Sequence, residues 1–203
     1  MSFKSDDFFT IHLSTVPLIL ILRNLDPSQS RKLARTAWNL GVRLVEVPIA
    51  NEAAWSSLEA VRDESTSDSE LVGAGSITKS NQVEMCLDNG IKFLVSPGFT
   101  VELAEITIKN EIPWLPGVST SSEIMSANSY GFSWMKAFPA SQLGTKWFKA
   151  QLDPFLNAKF VATGGINSKN AHEFISSGAK ALGVGSGVAN PKSLKILVKS
   201  IKQ

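Results

Sequence analysis

Two ionisable residues stand in stretches too apolar for an ordinary surface. Lys136 lies in WMKAFPA beside Met135, Ala137 and Phe138, and Glu46 is the only ionisable residue in LVEVPI. Removing water from an amine favours its neutral form, which is the form that attacks a carbonyl. Lys136 could therefore form a Schiff base with a keto acid, and the plain alternative is a surface lysine at a strand end. A carboxylate within a buried strand is costly unless it is paired or hydrogen-bonded. Glu46 is either half of a structural ion pair, with Arg43 or Arg23, or a proton shuttle, because imine chemistry needs repeated proton transfers. Two short stretches, Thr163-Gly164-Gly165 and Gly185-Ser186-Gly187, could bring backbone N–H groups close to phosphate or a similar anion. Tight turns alone would also explain them.

The elements that must position these residues follow from a recurring phrase: a polar or amphipathic segment, a glycine, then a short apolar run. It occurs at Asn39–Val47, Asp88–Ser96, Ser129–Ala137 and Ser176–Val184, and NEIPWLPG around Pro113 repeats it with Asn110 in place of the glycine. Glycine just past a helix supplies a left-handed cap, and a buried parallel strand reads as an unbroken apolar run. This predicts strands at Pro17–Leu22, Leu44–Val47, Glu70–Val72, Lys92–Val95, Pro113–Leu115, Trp134–Ala137, Lys159–Ala162 and Ala181–Val184. Their starts recur every 20–28 residues or so, enough for one strand and one helix each. Helices are expected at Ser28–Leu40, Ser80–Asn89, Val101–Lys109 and Ser168–Ser177, with Ser80, Thr100 and Ser168 as caps.

Eight such units predict a (β/α)8 TIM barrel. The competing doubly wound sheet would carry G-x-G-x-x-G after its first strand, where this chain has RNLDPS; GAGSIT and GVGSGV both lack the third glycine. In a barrel, chemistry collects at the C-terminal strand ends. Those ends hold Arg23, Pro48, the Gly73–Ser76 turn, Ser96-Pro97-Gly98, Pro116-Gly117, Phe138-Pro139 and the two glycine stretches. Strand alternation puts Trp134, Lys136 and Phe138 on one face.

Composition narrows the function classes. The 203 residues are 43% hydrophobic and 19% charged, with 20 Lys and Arg against 18 Asp and Glu, a balance that argues against nucleic-acid or polybasic membrane binding. A lone cysteine, Cys86, leaves no intrachain disulfide and fits a reducing, cytoplasmic setting. The opening MSFKSDDFF does not read as a signal peptide, and the longest apolar run, Val16–Leu22, is far short of a membrane span. His12 precedes the first strand, His172 falls inside a helix, and no cluster has metal-ligand spacing, so no metal is expected. The five tryptophans read as core or interface residues.

The strand-end stretches VPLILILR, GVRLVEVPI, LVGAGSI, FLVSPGF, IPWLPGVST, MKAFPAS, ATGGI and GVGSG, in this order, resemble the class I 2-keto-3-deoxy-6-phosphogluconate / 4-hydroxy-2-oxoglutarate aldolase family. The resemblance runs from Val16 to about Val188. It implies one aldolase-type barrel domain over residues 1–203, a homotrimer, and no metal or organic cofactor. It also implies cleavage of a 2-keto-3-deoxy-6-phospho sugar acid or 4-hydroxy-2-oxoglutarate to pyruvate and an aldehyde. Lys136 matches the Schiff-base lysine and Glu46 the general acid/base. Arg23 matches an active-site arginine, and Ser76 stands where threonine is usual in the loop holding the pyruvyl group. Pro97 is counted with the substrate-binding positions, and Thr163, Gly164, Gly165, Gly185 and Ser186 match the phosphate site.

Some positions depart from the family. Phosphogluconate-type members carry arginine four residues after the glutamate, where this chain has Ala50 and then Asn51. The stretches PLILILR, GVRLVEVPIAN and FPASQLGTKWFKAQL look closer to the phosphogalactonate-type branch. Ser76 keeps the threonine hydroxyl but not its methyl group, which loosens its rotamer. Another phosphate-binding barrel enzyme would share the glycine stretches without needing Lys136. A non-enzymatic small-acid-binding descendant is favoured by Ala50 and opposed by the intact Glu46 and Lys136.

Overall fold

The computed structural model describes residues 4–51, 53–188 and 190–201. In chain order the strands are β1 (Leu18–Ile21), β2 (Leu44–Pro48), β3 (Leu71–Gly75), β4 (Phe93–Val95), β5 (Trp114–Leu115), β6 (Gly117–Val118), β7 (Trp134–Ala137), β8 (Lys159–Thr163) and β9 (Ala181–Val184). The helices are α1 (Lys4–His12), α2 (Pro27–Asn39), α3 (Ala53–Glu64), α4 (Ser80–Asp88), α5 (Val101–Lys109), α6 (Ser121–Ser129), α7 (Ala140–Leu143), α8 (Thr145–Leu152), α9 (Ala171–Ser176) and α10 (Pro191–Ile201). All strand pairs are parallel, in the order β5-β4-β3-β2-β1-β9-β8-β7-β6. β5 and β6 end that order yet are consecutive in the chain. Pro116 lies between them, and its missing N–H interrupts one strand into two halves. Its carbonyl still accepts from the Lys136 N–H at 2.8 Å, so the sheet curls into the expected eight-stranded barrel.

Alternation along each strand sorts the side chains into two layers. Leu18, Leu20, Val45, Val47, Met135, Phe160 and Leu182 pack outward beneath the helices. Ile19, Leu44, Leu71, Phe93, Trp134, Val161 and Ala181 fill the bore.

Some local expectations need correction. Thr100 caps α5 as read, accepting from the Leu103 N–H at 3.2 Å. Ser80 instead lies inside α4, where Lys79 is the capping position and the Gln82 side chain takes the Thr78 and Lys79 N–H groups. Ser168 lies before α9, whose capping position is Asn170. Gly41, Gly90, Gly131 and Gly178 all have positive φ after their helices, but in the fifth repeat Glu111 takes that role at φ 52, not Asn110. β3 extends through Gly75, a stretch expected to be loop.

α1 was not foreseen. It stops the N-terminal end of the bore: Phe9 packs edge-on to Phe93 at 6.1 Å and against Trp134 at 6.3 Å. The Ser5 hydroxyl donates to the Trp114 carbonyl at 3.0 Å, and the Asp6 carboxylate accepts from the Ser133 and Trp134 N–H groups and the Ser133 hydroxyl. His12 is its last residue, His172 lies exposed on α9, and Cys86 is fully buried in α4. Trp38, Trp114 and Trp134 are buried, and Trp55 and Trp147 pack partly buried against the core. No described helix is long and apolar enough to cross a membrane.

Candidate active site

Glu46 and Lys136 both point into the bore and are almost entirely buried, at 2% and 4% exposure. Lys136 sits one inward step above Trp134, the bulky residue that closes the bore below it. Its Nζ lies 4.8 Å from the centre of the Phe138 ring. Burial pulls the Lys136 pKa down, Glu46 partly offsets that, and the charge of Arg23 adds to the fall. For Glu46, burial pushes the pKa up against the opposing pull of Lys136 and Arg23. Desolvation thus outweighs mutual attraction in both groups, and each is biased toward its neutral form. Glu46 Oε1 is buried and accepts no hydrogen bond from the described residues. An unpartnered buried carboxylate oxygen is costly, which marks it as held for chemistry more than for stability.

Glu46 has this place because Gly75 on β3, the register partner of Pro48, carries no side chain. A Cβ at Gly75 would fall inside the Glu46 carboxylate. Gly75 is a positioning residue that the sequence reading did not single out, because its glycine-rich setting read as a turn. Gly73, Gly117 and Gly183 act alike: added Cβ atoms would meet the Phe93 ring, the Pro97 carbonyl and the Thr163 side chain. Four missing side chains, on three strands, make the upper bore wide enough to be occupied.

The strand register fixes the next level. Ile21 pairs with Glu46, and Val161 with Lys136, so Arg23 and Thr163 stand one inward step closer to the C-terminal mouth. There the structure brings together Arg23, Thr163, Gly164, Gly165, Gly185 and Ser186, which with Ile21, Phe138, Ile166 and Gly183 line a cavity of about 160 Å³. Gly164 and Gly165 have φ of 98 and 76, a backbone shape that side chains resist. A Cβ on Gly164 would also press on the Phe138 ring at 3.3 Å. Phe138 therefore touches both the lysine amine and the glycine turn, a link visible in the sequence only as proximity to Lys136.

Arg23 also lines a second cavity of about 200 Å³, with Asn24, Pro48, Ala50, Asn51 and Ser57 among its walls. Ser76 and Pro97 line neither cavity. Ser76 is half-buried just past β3 with φ 62, a strained shape for a non-glycine residue, and Pro97 is exposed with its backbone against Gly117. Arg43, one of the ion-pair partners considered for Glu46, acts instead on His12 at the other end of the barrel. A wider groove of about 700 Å³ along α2 is remote from this chemistry. Its Arg35 is tied to Glu64 at 3.0 Å and Glu70 at 2.7 Å. Among the described residues, no group of three or more His, Cys, Asp or Glu could hold a metal ion.

The arrangement offers a desolvated amine, a carboxyl group able to hold or give a proton, and an anion-sized glycine cavity above them. Comparison with known proteins identifies the family. The KDPG and KHG aldolase family model matches residues 10–199. The KHG/KDPG aldolase of Escherichia coli (strain K12) is 31% identical over 80% of this chain and 76% of its own length. The 2-dehydro-3-deoxy-6-phosphogalactonate aldolase of the same strain is 30% identical over 84% and 83%. A solved structure of KDPG aldolase from Legionella pneumophila, with pyruvate captured at low pH as a covalent carbinolamine intermediate, superposes with a TM-score of 0.82. It shares 29% identity and 96% coverage of both chains. The near-equal identities to the two Escherichia coli enzymes do not separate the gluconate and galactonate branches. With its fold, its buried lysine–glutamate pair and a family match across most of its length, this chain belongs to the KDPG and KHG aldolase family.

Proposed function

We propose that the chain is a Schiff-base aldolase that cleaves a 2-keto-3-deoxy-6-phospho sugar acid, of the phosphogluconate or phosphogalactonate type, or 4-hydroxy-2-oxoglutarate, to pyruvate and an aldehyde. The carrying observation is that Lys136 and Glu46 are buried together in the bore with pKa values displaced toward their neutral forms. A lowered lysine pKa raises the share of free amine at neutral pH, and a raised carboxyl pKa suits repeated proton transfer.

Lys136 Nζ attacks the 2-keto carbon, and the neutral Glu46 carboxyl gives up its proton so that the hydroxyl leaves as water. This leaves a protonated imine that draws electrons and an ionised Glu46. Glu46, directly or through a water, takes the proton of the 4-hydroxyl. The C3–C4 bond breaks, its electron pair passes into the imine as an enamine, and the aldehyde leaves. Protonation at C3 and hydrolysis return Lys136 and release pyruvate. Arg23 and the Ser76 turn hold the keto-acid end with Pro97 nearby. Thr163, Gly164, Gly165, Gly185 and Ser186 receive the phosphate when there is one, since backbone N–H groups of glycine turns suit an anion. The reading includes one barrel domain across residues 1–203, a homotrimer, a cytoplasmic setting and no cofactor. Family resemblance supports the trimer, which a mass measurement in solution tests.

Incubation with pyruvate and borohydride tests the core of the reading. One pyruvate should be fixed per chain, on Lys136 by peptide mapping. Lys136→Arg should abolish both fixation and cleavage, since a guanidinium stays protonated and forms no imine. Fixation at another lysine, or active protein without fixation, would remove the Schiff base from the mechanism.

A further inference from the structure

Arg23 stands where two parts of the mouth meet. It is exposed, it lines the glycine-turn cavity with Thr163, Gly164, Gly165, Gly185 and Ser186, and among the described residues that line this cavity it is the only cation. Two residues back along the chain and one inward step below, Ile21, the last residue of β1, is the register partner of Glu46. Arg23 thus lines an anion pocket and stands one step above the level of the buried amine–carboxyl pair, on both of whose members its charge acts. The charged groups acting on Lys136 are Glu46 from β2 and Arg23 from the end of β1, with the Phe138 ring over the amine from the end of β7.

Building on the Schiff-base reading, we propose that Arg23 is a positioning residue that links anion occupancy of the glycine-turn cavity to the speed with which Lys136 attacks a keto acid. The anionic end of a ligand then acts on the catalytic pair as well as on affinity. With the cavity free of anions, the guanidinium charge favours the unprotonated amine of Lys136 and the ionised carboxylate of Glu46. An anion seated against the guanidinium offsets that charge. Lys136 then holds its proton more tightly, so a detached anion in the cavity slows imine formation near neutral pH. The slowing fades as pH rises and the amine loses its proton anyway. Because Arg23 is exposed, the link weakens in concentrated neutral salt.

Inorganic phosphate with pyruvate is the direct probe, since the two are not joined. The rate of imine formation at saturating pyruvate, followed by rapid quenching into borohydride from about pH 6 to 9, separates an effect on Lys136 from competition for the pyruvate site. Phosphate is expected to lower the saturated rate of the wild-type protein about two- to tenfold at pH 7 and little at the alkaline end. Arg23→Gln should form the imine more slowly and lose the phosphate effect, and Arg23→Lys, which keeps the charge, should retain part of it. A saturated rate unchanged by phosphate across the range overturns the link, as does a lack of phosphate binding by calorimetry. So does an Arg23→Gln variant that responds as the wild type does. If no pyruvate is fixed on Lys136 under any condition, the Schiff-base reading itself has failed, which is a separate result.

Discussion

The two ends of the barrel are built on opposite plans. At the N-terminal end apolar side chains, from Ala181 to Trp134, fill the bore, and α1 closes it with Phe9 against Phe93 and Trp134. At the C-terminal end the inward positions hold Glu46, Lys136 and Thr163 among glycines whose added Cβ atoms would collide with those groups or their neighbours. One end gains stability by filling space, and the other gives up packing to desolvate two ionisable groups. This split allows the mouth to carry strain, since the closed end holds the strands in register beneath it. Ser76, with its left-handed backbone, lies at the costly end, as does the unpartnered Glu46 Oε1.

The largest effect that would sharpen this contrast is expected at Glu46. Glu46→Gln keeps the shape but cannot accept a proton, so turnover should fall about 10²–10⁴-fold while the fold survives. A variant that loses stability yet keeps near-normal turnover per folded molecule would make Glu46 structural and erase the distinction between the ends. Phe9→Ala should do the reverse. Emptying the floor of the bore should cost about 3–5 kcal/mol in denaturant unfolding, with turnover per folded molecule close to wild type. A selective collapse of turnover, with stability unchanged, would show that the closed end takes part in the chemistry.

A smaller effect tests the cost of the mouth itself. The folded pKa of Glu46 is raised, so its contribution to stability is full below its unfolded pKa and is lost as pH rises through the folded value. The folded pKa of Lys136 is lowered, so its contribution is full above its unfolded pKa and is lost as pH falls through the folded value. Between these limits the pair is a net burden. The double variant Glu46→Gln, Lys136→Met should therefore unfold at higher denaturant near pH 7, by up to about 1–4 kcal/mol, and be inactive. Equal or lower stability would mean that the pair's attraction repays its burial.

The same contrast explains what the sequence reveals and what it hides. Glu46 and Lys136 are legible because a charge in an apolar strand has few bland explanations. The strands are legible because burial on both faces leaves unbroken apolar runs such as Val16–Leu22. α1 is hidden: KSDDFFTIH shows acidic residues near its start, and only the assembled bore gives Phe9 something to plug. Glu111 is hidden because sequence favours glycine or asparagine where φ is positive, and Asn110 stood next to it. Gly75 read as turn chemistry, since its real demand comes from a carboxylate on the neighbouring strand. The sharing of Arg23 between two cavities depends on strand register, which spacing along one chain does not encode.

The smallest effect is expected at Ala50, and it decides which side of Arg23 the keto-acid carboxylate occupies. Ala50 and Arg23 line one cavity of about 200 Å³ together with Asn24 and Asn51. Such a cavity has room for part of a longer side chain, so Ala50→Arg should fold normally. A hydrogen bond to a charged group contributes about 1.5–3 kcal/mol, which caps the gain in pyruvate affinity at roughly 10–150-fold. The gain should fall at or below the low end, because a second guanidinium beside Arg23 meets like-charge repulsion and Arg23 can already serve the carboxylate. Arg23→Ala should weaken pyruvate binding by more than Ala50→Arg strengthens it. Calorimetry on both variants settles the matter. A gain well above tenfold at position 50, with Arg23→Ala harmless, would place the carboxylate on the Ala50 side and leave Arg23 to the glycine turns alone.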